Sequence, residues 1–471
     1  MSMRTASLSI ALLLGGCTLA PKYERGPAPV PASWPAGDAY APDYSGVPIA
    51  SYRELFQDDG LQKIIALALE NNRDLRQAAA NIERARAQVR IQRSELFPQI
   101  DAGGDVTRRK VGNAPAVDTS SADVSITAYE IDLFGRIRSL TDSARNSYLA
   151  TQSDAQAIRL ALIGDIVQAW LSYGADKSLR DISNATVETA QKSVDLTQAR
   201  LSGGISPRTD LRQAQTILAT AQSDLARSTT ALAQDRNLLD LLVGAPVDPT
   251  LLPGSIEQAG PKIGEPSADM SSQVLLRRPD IMSAEYALRA ANAEIGAARA
   301  ALFPRITLGA LFGLVGTSIE SLFGSAGNEA SQGSAAITYP IFQAGAARAG
   351  VDVSKAQRDA LLAAYEKAIQ TGYREVADAL ARRGTINDQL GADRLRVQAS
   401  EDSYRLSDAR YRGGVDSFLQ SLDAQRTYYA AQQNLVATEL EAANNRVALY
   451  RALGGEEAAK PDPQNPIPVS N

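Results

Sequence analysis

The sequence predicts a mainly α-helical chain that carries membrane β-strands, with the whole pattern written twice. Three observations point there: markers that recur at a nearly constant offset, proline-free helical stretches of some 65 residues, and alternating apolar runs behind each Leu-Phe-Pro. Leu96-Phe97-Pro98 returns 206 residues later as Leu302-Phe303-Pro304. Tyr129-x-Ile131-x-x-x-Gly135 returns 210 residues later as Tyr339-x-Ile341-x-x-x-Gly345. Ala199-Arg200-x-x-Gly203-Gly204 returns at the same offset as Ala409-Arg410-x-x-Gly413-Gly414, followed by Ala214-Gln215 and Ala424-Gln425. Such an ordered recurrence marks two copies of one unit.

The chain opens with Arg4, an apolar run Leu8 to Leu14, and Leu14-Gly15-Gly16-Cys17. This is the layout of a lipoprotein signal, with residues 1–16 removed and Cys17, the only cysteine, acylated as the first mature residue. A Pro- and Gly-rich lipid-anchored segment, 17–60, precedes repeat 1 at 61–245. A linker at 246–270 leads to repeat 2 at 271–455, and a Pro-rich tail at 456–471 reads as disordered.

Each repeat reads helix, strand, turn, strand, long helix, turn, helix. Good helix formers fill 72–96 and 279–302, and each stretch ends at a proline, which pushes the residue before it out of the αR region. Behind Pro304, Ile306, Leu308, Ala310, Phe312 and Leu314 alternate with Thr307 and glycines; behind Pro98, Ile100, Ala102 and Val106 do the same more weakly. With Val124, Ile126 and Ala128, and with Ala335, Ile337, Tyr339 and Ile341, they give strand pairs at about 99–131 and 305–341. These are near the ~9–11 residues of a tilted membrane strand. After Gly135 and Gly345 helical composition runs on to the Gly-Gly turns, and some 65 residues at 1.5 Å each give roughly 100 Å of helix. Leu160, Ile163, Val167 and Trp170 form one apolar stripe and Ile158, Leu162, Ile166, Ala169 and Tyr173 another, so this helix needs neighbours along its length. Return helices are expected at about 208–243 and 416–453.

Several function classes drop out. There are no histidines, which removes imidazole acid–base chemistry and most zinc sites, and no GxxxxGK[ST] loop to bind ATP. Net charge is −5 with both signs interspersed, a poor nucleic-acid surface. Neither an enzyme nor a cofactor is expected, apart from the covalent lipid.

The chain resembles the TolC-type outer-membrane factor family, in its lipidated branch of multidrug efflux lipoproteins. The resemblance rests on Cys17-Thr18-Leu19-Ala20-Pro21-x-Tyr23, on Arg277-Arg278-Pro279-Asp280-Ile281 leading through Ala290-Ala291-Asn292 to Phe303-Pro304, and on Ala409-Arg410-Tyr411-x-x-Gly414 to Asp423-Ala424-Gln425. It implies a homotrimer sharing a 12-stranded β-barrel, four strands per protomer, continuous with an antiparallel α-helical barrel in the periplasm. The implied function is a passive exit duct in the outer membrane of a Gram-negative bacterium, in contact with outer-membrane lipid and docked to a periplasmic adaptor and an inner-membrane RND-type transporter. A conduit for type I secretion or metal-ion export would share the architecture. A coiled-coil envelope lipoprotein would explain the helices but not the duplicated strands.

The resemblance also implies a gate at the helical tip. Leu419 and Asp423, one helical turn apart, would line the constriction, Asp423 as a ring of carboxylates attracting cations. Thr209, Asp210 and Tyr411 match positions that hold the tip closed, with a Tyr411 hydroxyl to Asp210 hydrogen bond; Asp210 also suits the dipole at the start of its helix. Where some members carry an arginine, this chain has Asp416, which leaves Arg208, Arg212 and Arg412 as candidates for its role. Gly203, Gly204, Gly413 and Gly414 make the tip turns, beside which the adaptor would dock.

Overall fold

A computed structural model describes residues 18–41, 45–46, 51–322, 324 and 328–455. Cys17, the signal segment and the tail expectation lie outside the described residues. In chain order the longer elements are α1 (Asp59–Asn71), α2 (Arg73–Ser94), β1 (Asp101–Arg109), β2 (Val117–Glu130), α3 (Arg136–Ser202), α4 (Arg208–Val243), α5 (Pro279–Ala300), β3 (Arg305–Gly316), β4 (Asn328–Thr338), α6 (Ala346–Arg412) and α7 (Phe418–Ala452). The fold is mainly helical, as the sequence predicts, with one four-stranded sheet among the described residues, and α3 and α6 each run 67 residues.

Contacts divide the chain into two compact units that cut across the repeats, each drawing segments from both. The first holds residues 18–27, 80–153 and the described part of 282–366. Its centre is an antiparallel sheet in the order β1-β2-β3-β4. Val124 faces Phe312, and Ile306 faces Ile337. Because strand side chains alternate, these residues share one face, and it is bare: Val106, Val124, Phe312 and Ile337 are each more than half exposed. The β2–β3 ladder shifts register between Ile126 and Tyr129, a β-bulge. Below the sheet, Phe134 stacks on Phe303 with ring centres 4.6 Å apart.

An extended strap, 18–25, lies along α5 in this unit. Arg299 donates to the Leu19 carbonyl (3.0 Å) and Asn292 to the Pro21 carbonyl (2.7 Å). Gly296 lets the strap approach, since a Cβ there would lie 2.7 Å from the Ala20 nitrogen. Glu285, almost fully buried, accepts from Tyr23 (3.1 Å), Arg25 (2.5 and 3.1 Å) and Arg289 (2.8 Å). Burial alone would raise its pKa; the hydrogen bonds and charges of Arg25 and Arg289 outweigh it and hold the carboxyl below the ordinary value.

The second unit holds 28–79, 154–281 and 367–455. Asp58 caps α1 by accepting from the Leu61 N–H (2.9 Å), and Leu61, Ile64, Ile65 and Ala68 bury one face. Buried Asn72 caps α2 through Leu75 N–H (3.0 Å) and donates to the Leu242 carbonyl at the end of α4 (2.8 Å). Gly244 then ends α4 at φ +77°, where a Cβ would lie 2.7 Å from the Asn71 carbonyl oxygen. The stripes read in α3 merge into one buried face, Leu162, Ile163, Ile166, Val167, Ala169 and Trp170, while Ile158 stays exposed. Arg278, one residue ahead of α5, is buried and ties Asp280 (2.8 and 3.0 Å), Glu375 (2.9 Å) and the Ala452 carbonyl (2.7 Å).

Candidate functional site at the hairpin tips

The helix reversals of the second unit carry the candidate site residues. At the first, the Gly204 N–H reaches the Leu201 carbonyl (3.0 Å) and the Ile205 N–H reaches the Arg200 carbonyl (3.0 Å). At the second, Gly414 reaches Tyr411 (3.0 Å) and Val415 reaches Arg410 (2.9 Å). Both are Schellman motifs, whose C′ residue is left-handed: φ is +72° at Gly204 and +73° at Gly414. The residue behind each glycine is apolar and exposed, Ile205 at 77% and Val415 at 66%.

Behind the turns, Ala190, Ala214, Ile217, Tyr411, Phe418 and Leu422 form a small core. Tyr411 packs on Phe418 with ring centres 5.1 Å apart, and Phe418 and Leu422 lie on the buried face of α7. Leu419 and Asp423, four residues apart, are consequently on its other side, Leu419 59% exposed and Asp423 exposed. Thr209 is exposed as well, and Asp210 is half-buried.

The expected Tyr411–Asp210 hydrogen bond is not formed. Asp210 accepts from the Ser206 hydroxyl instead (2.6 Å), and the buried Tyr411 hydroxyl finds no hydrogen-bond partner among the described residues. Asp210 still acts on Tyr411 at a distance: burial raises the phenol's pKa first, and the charges of Asp210 and Asp408 add to this while Arg200 opposes it. A carboxylate one turn from a hydroxyl on its own chain segment meets that partner at less entropic cost than a phenol on another helix.

None of the three candidate arginines meets Tyr411. Arg412 pairs with Asp408 (2.8 Å), Arg212 donates to Gln215 (2.7 Å), and no partner is seen for Arg208 among the described residues. Asp416 is held by Arg410 in a bidentate pair (2.5 and 2.9 Å), which pulls its carboxyl below the ordinary value. The arginine at the tyrosine is Arg200, which sequence reasoning missed. Its guanidinium lies 4.4 Å from the Tyr411 ring centre and donates to the carbonyls of Tyr411 (3.4 Å) and Arg412 (3.2 Å). The duplicated position, Arg410, has Asp416 to engage it; at the matching place in the first turn stands Ser206, which leaves Arg200 to cross to the second hairpin.

A sequence profile of the family described as Outer membrane efflux protein matches residues 64–245 and 270–455. The chain belongs to this family. It is 42% identical over 465 residues to the toluene efflux pump outer membrane protein TtgI of Pseudomonas putida, covering 97% of this chain and 98% of that one. A crystal structure of a membrane protein from Pseudomonas aeruginosa superposes with a TM-score of 0.86 at 35% identity, covering 93% of this chain and all of the other. The open state of the MtrE outer membrane channel of Neisseria gonorrhoeae gives 0.83 at 32% identity, covering 93% and 98%. This outer-membrane efflux protein therefore shares the fold of known outer-membrane channels, and its family is one of efflux proteins, not enzymes.

Proposed function

We propose that this efflux protein is the passive exit duct of a tripartite system, three copies sharing one 12-stranded barrel in the outer membrane. The observation that carries this reading is the four-stranded sheet with both edges open and one apolar face bare. Four strands cannot close on themselves, and in lipid every backbone polar group needs a partner, so several copies must share the barrel; three is the number that the family resemblance implies, giving twelve strands and no edge. No described helix is long and apolar enough to cross a bilayer, which leaves the sheet as the described part suited to span it. Acylation at Cys17 adds an anchor just ahead of the strap, which Arg299 grips at Leu19.

In this reading the tips face the inner membrane. The exposed Ile205 and Val415 beside Gly203, Gly204, Gly413 and Gly414 offer apolar contacts to a periplasmic adaptor, and an RND-type transporter supplies the energy. Leu419 and Asp423 ring the pore, and Arg200 serves as the latch that Asp416 cannot be. TtgI is named for toluene, and small apolar organic compounds are the proposed cargo here. Deleting the protein from its host should raise accumulation of a fluorescent apolar dye severalfold, with recovery on re-expression. Unchanged accumulation, with the cognate pump present, would refute the duct.

A further inference from the structure

Both halves of one junction lie bare in the single chain, and the internal duplication supplies its geometry. At the end of β2, the Ile131 N–H donates to the Ile306 carbonyl (2.9 Å). The second-repeat equivalent of Ile131 is Ile341, which is 91% exposed, and the adjoining Phe342 is 87% exposed. The first-repeat equivalent of Ile306 is Ile100, 70% exposed at the foot of β1. The chain thus contains one assembled seam, β2 with β3, and the two unassembled halves of another, β4 and β1.

Register follows by transfer. Tyr129 pairs with Leu308; shifted by 210 and 206 residues, the pair becomes Tyr339 opposite Ala102. Beyond the bulge the shift on the β2 side changes, because β4 lacks the extra residue. Asp101 pairs with Ser125, whereas its equivalent Thr307 pairs with Ala336, so the structural equivalent of Ser125 lies 211 residues on. Ser125 pairs with Leu311, which transfers to Ala336 opposite Asp105. Three residues separate the two transferred pairs on both strands, so this second seam runs straight where the first is bulged.

We infer that β4 pairs antiparallel with β1 of a second copy in one unbroken register, Tyr339 opposite Ala102, Ile337 opposite Gly104 and Ala335 opposite Val106, with Ile341 donating to the second copy's Ile100 carbonyl. The inference rests on the shared-barrel reading and adds its register. Face parity agrees: Ile337 and Ala335 lie on the bare apolar face, as does Val106, while Ala336 and Asp105 lie on the other. A slip of one residue would turn every side chain to the wrong face. Pro340 also fits, for the position it duplicates, Glu130, is adjacent to the donor Ile131 and directs its N–H away from the seam. The pairing of β4 with β3 ends at Thr338, so no ladder bond is lost there either.

The test is disulfide trapping in outer membranes of cells making the full-length chain. Gly104→Cys is combined with Ile337→Cys; a Cβ at Gly104 meets nothing nearer than the Ser121 carbonyl oxygen at 3.6 Å, so the strand accommodates it. Ala102→Cys or Val106→Cys with Ile337→Cys report slips of two residues, which keep facing parity, and Ala335→Cys with Val106→Cys is an independent pair in the inferred register. Directly opposed Cβ atoms lie about 4.5–5.5 Å apart and diagonal ones about 7–8 Å, so mild oxidation should link the 104/337 and 335/106 pairs at least ~tenfold faster than the slipped pairs. Single-cysteine variants control for Cys17. Faster linking of a slipped pair overturns the register and leaves the shared barrel standing. No linking in threefold particles also overturns the register. No linking with only single copies present overturns the shared-barrel reading itself.

Discussion

The two hairpin tips share a backbone and differ in what their side chains do. Gly204 and Gly414 close the same Schellman turn within a degree of φ. Around them the copies part: Ser206 answers to Asp416, Thr209 to Leu419, Asp210 to Gln420, and Gln213 to Asp423. Duplication preserved the part that only glycine geometry satisfies and released the rest. One copy now presents an apolar residue and an acid on its exposed face, and the other sends Arg200 across to hold it. The turn's backbone and its side-chain pairing are therefore separable: with Ser206 in one copy and Asp416 in the other, Arg200 and Arg410 take different partners around the same turn.

Exchanging charge at one tip only is the strongest way to break this comparison. On the proposed pore lining, Asp423→Lys should turn single channels in planar bilayers from cation-preferring to anion-preferring, whereas Gln213→Lys should change selectivity much less. Equal effects would remove the asymmetry. Next comes Arg200→Ala, which deletes a cation–π contact worth roughly 1 kcal/mol and should raise the open fraction about fivefold, read as conductance. Arg410→Ala, which frees a pair within one turn, should move it little. Glycine substitutions sharpen the shared part. Gly204→Ala and Gly414→Ala each place a side chain in the left-handed region, with no atom within 4 Å to clash, and should lose about 1 kcal/mol alike. Gly244→Ala adds the clash with Asn71 and should lose more in thermal unfolding of the extracted protein.

The smallest expected effect concerns the return helices. Asp235, beside Asp176, has a carboxyl that burial and then the Asp176 charge push up to about 7, while its second-repeat counterpart Asn445 is neutral and donates to the Ala379 carbonyl (3.1 Å). A carboxyl whose folded pKa is raised binds its proton more tightly when folded, so the pair's contribution is fully present at low pH and is lost as pH rises through about 7. Asp235→Asn should raise Tm on the order of 1 °C at pH 8 and leave it unchanged at pH 4. Glu285 has the opposite sign: its depressed pKa makes the strap contacts weaken as pH falls into the acid range.

Much of this was legible in residues whose role is local. Pro98 and Pro304 mark the ends of helical stretches, the tip glycines mark reversals, and the alternation behind Pro304 marks β3. The expected return helix at 208–243 is α4 residue for residue. What stayed hidden depends on choices between equivalent partners. Nothing in Ala199-Arg200 distinguishes it from Ala409-Arg410; only the Asp416 carboxylate within reach of one of them decides which arginine crosses. Asp210 took the nearer hydroxyl of Ser206, a competition that motif matching does not weigh. The bulge between Ile126 and Tyr129 is a single extra residue, visible only once both ladders are in register.

The central claim, that this chain completes a pore only as three copies, is tested most directly by single-particle electron microscopy of the full-length protein extracted in detergent. The account predicts threefold particles, hollow along the axis, with twelve strands around one barrel. Solid rods, or single copies with an open four-stranded sheet, would contradict it.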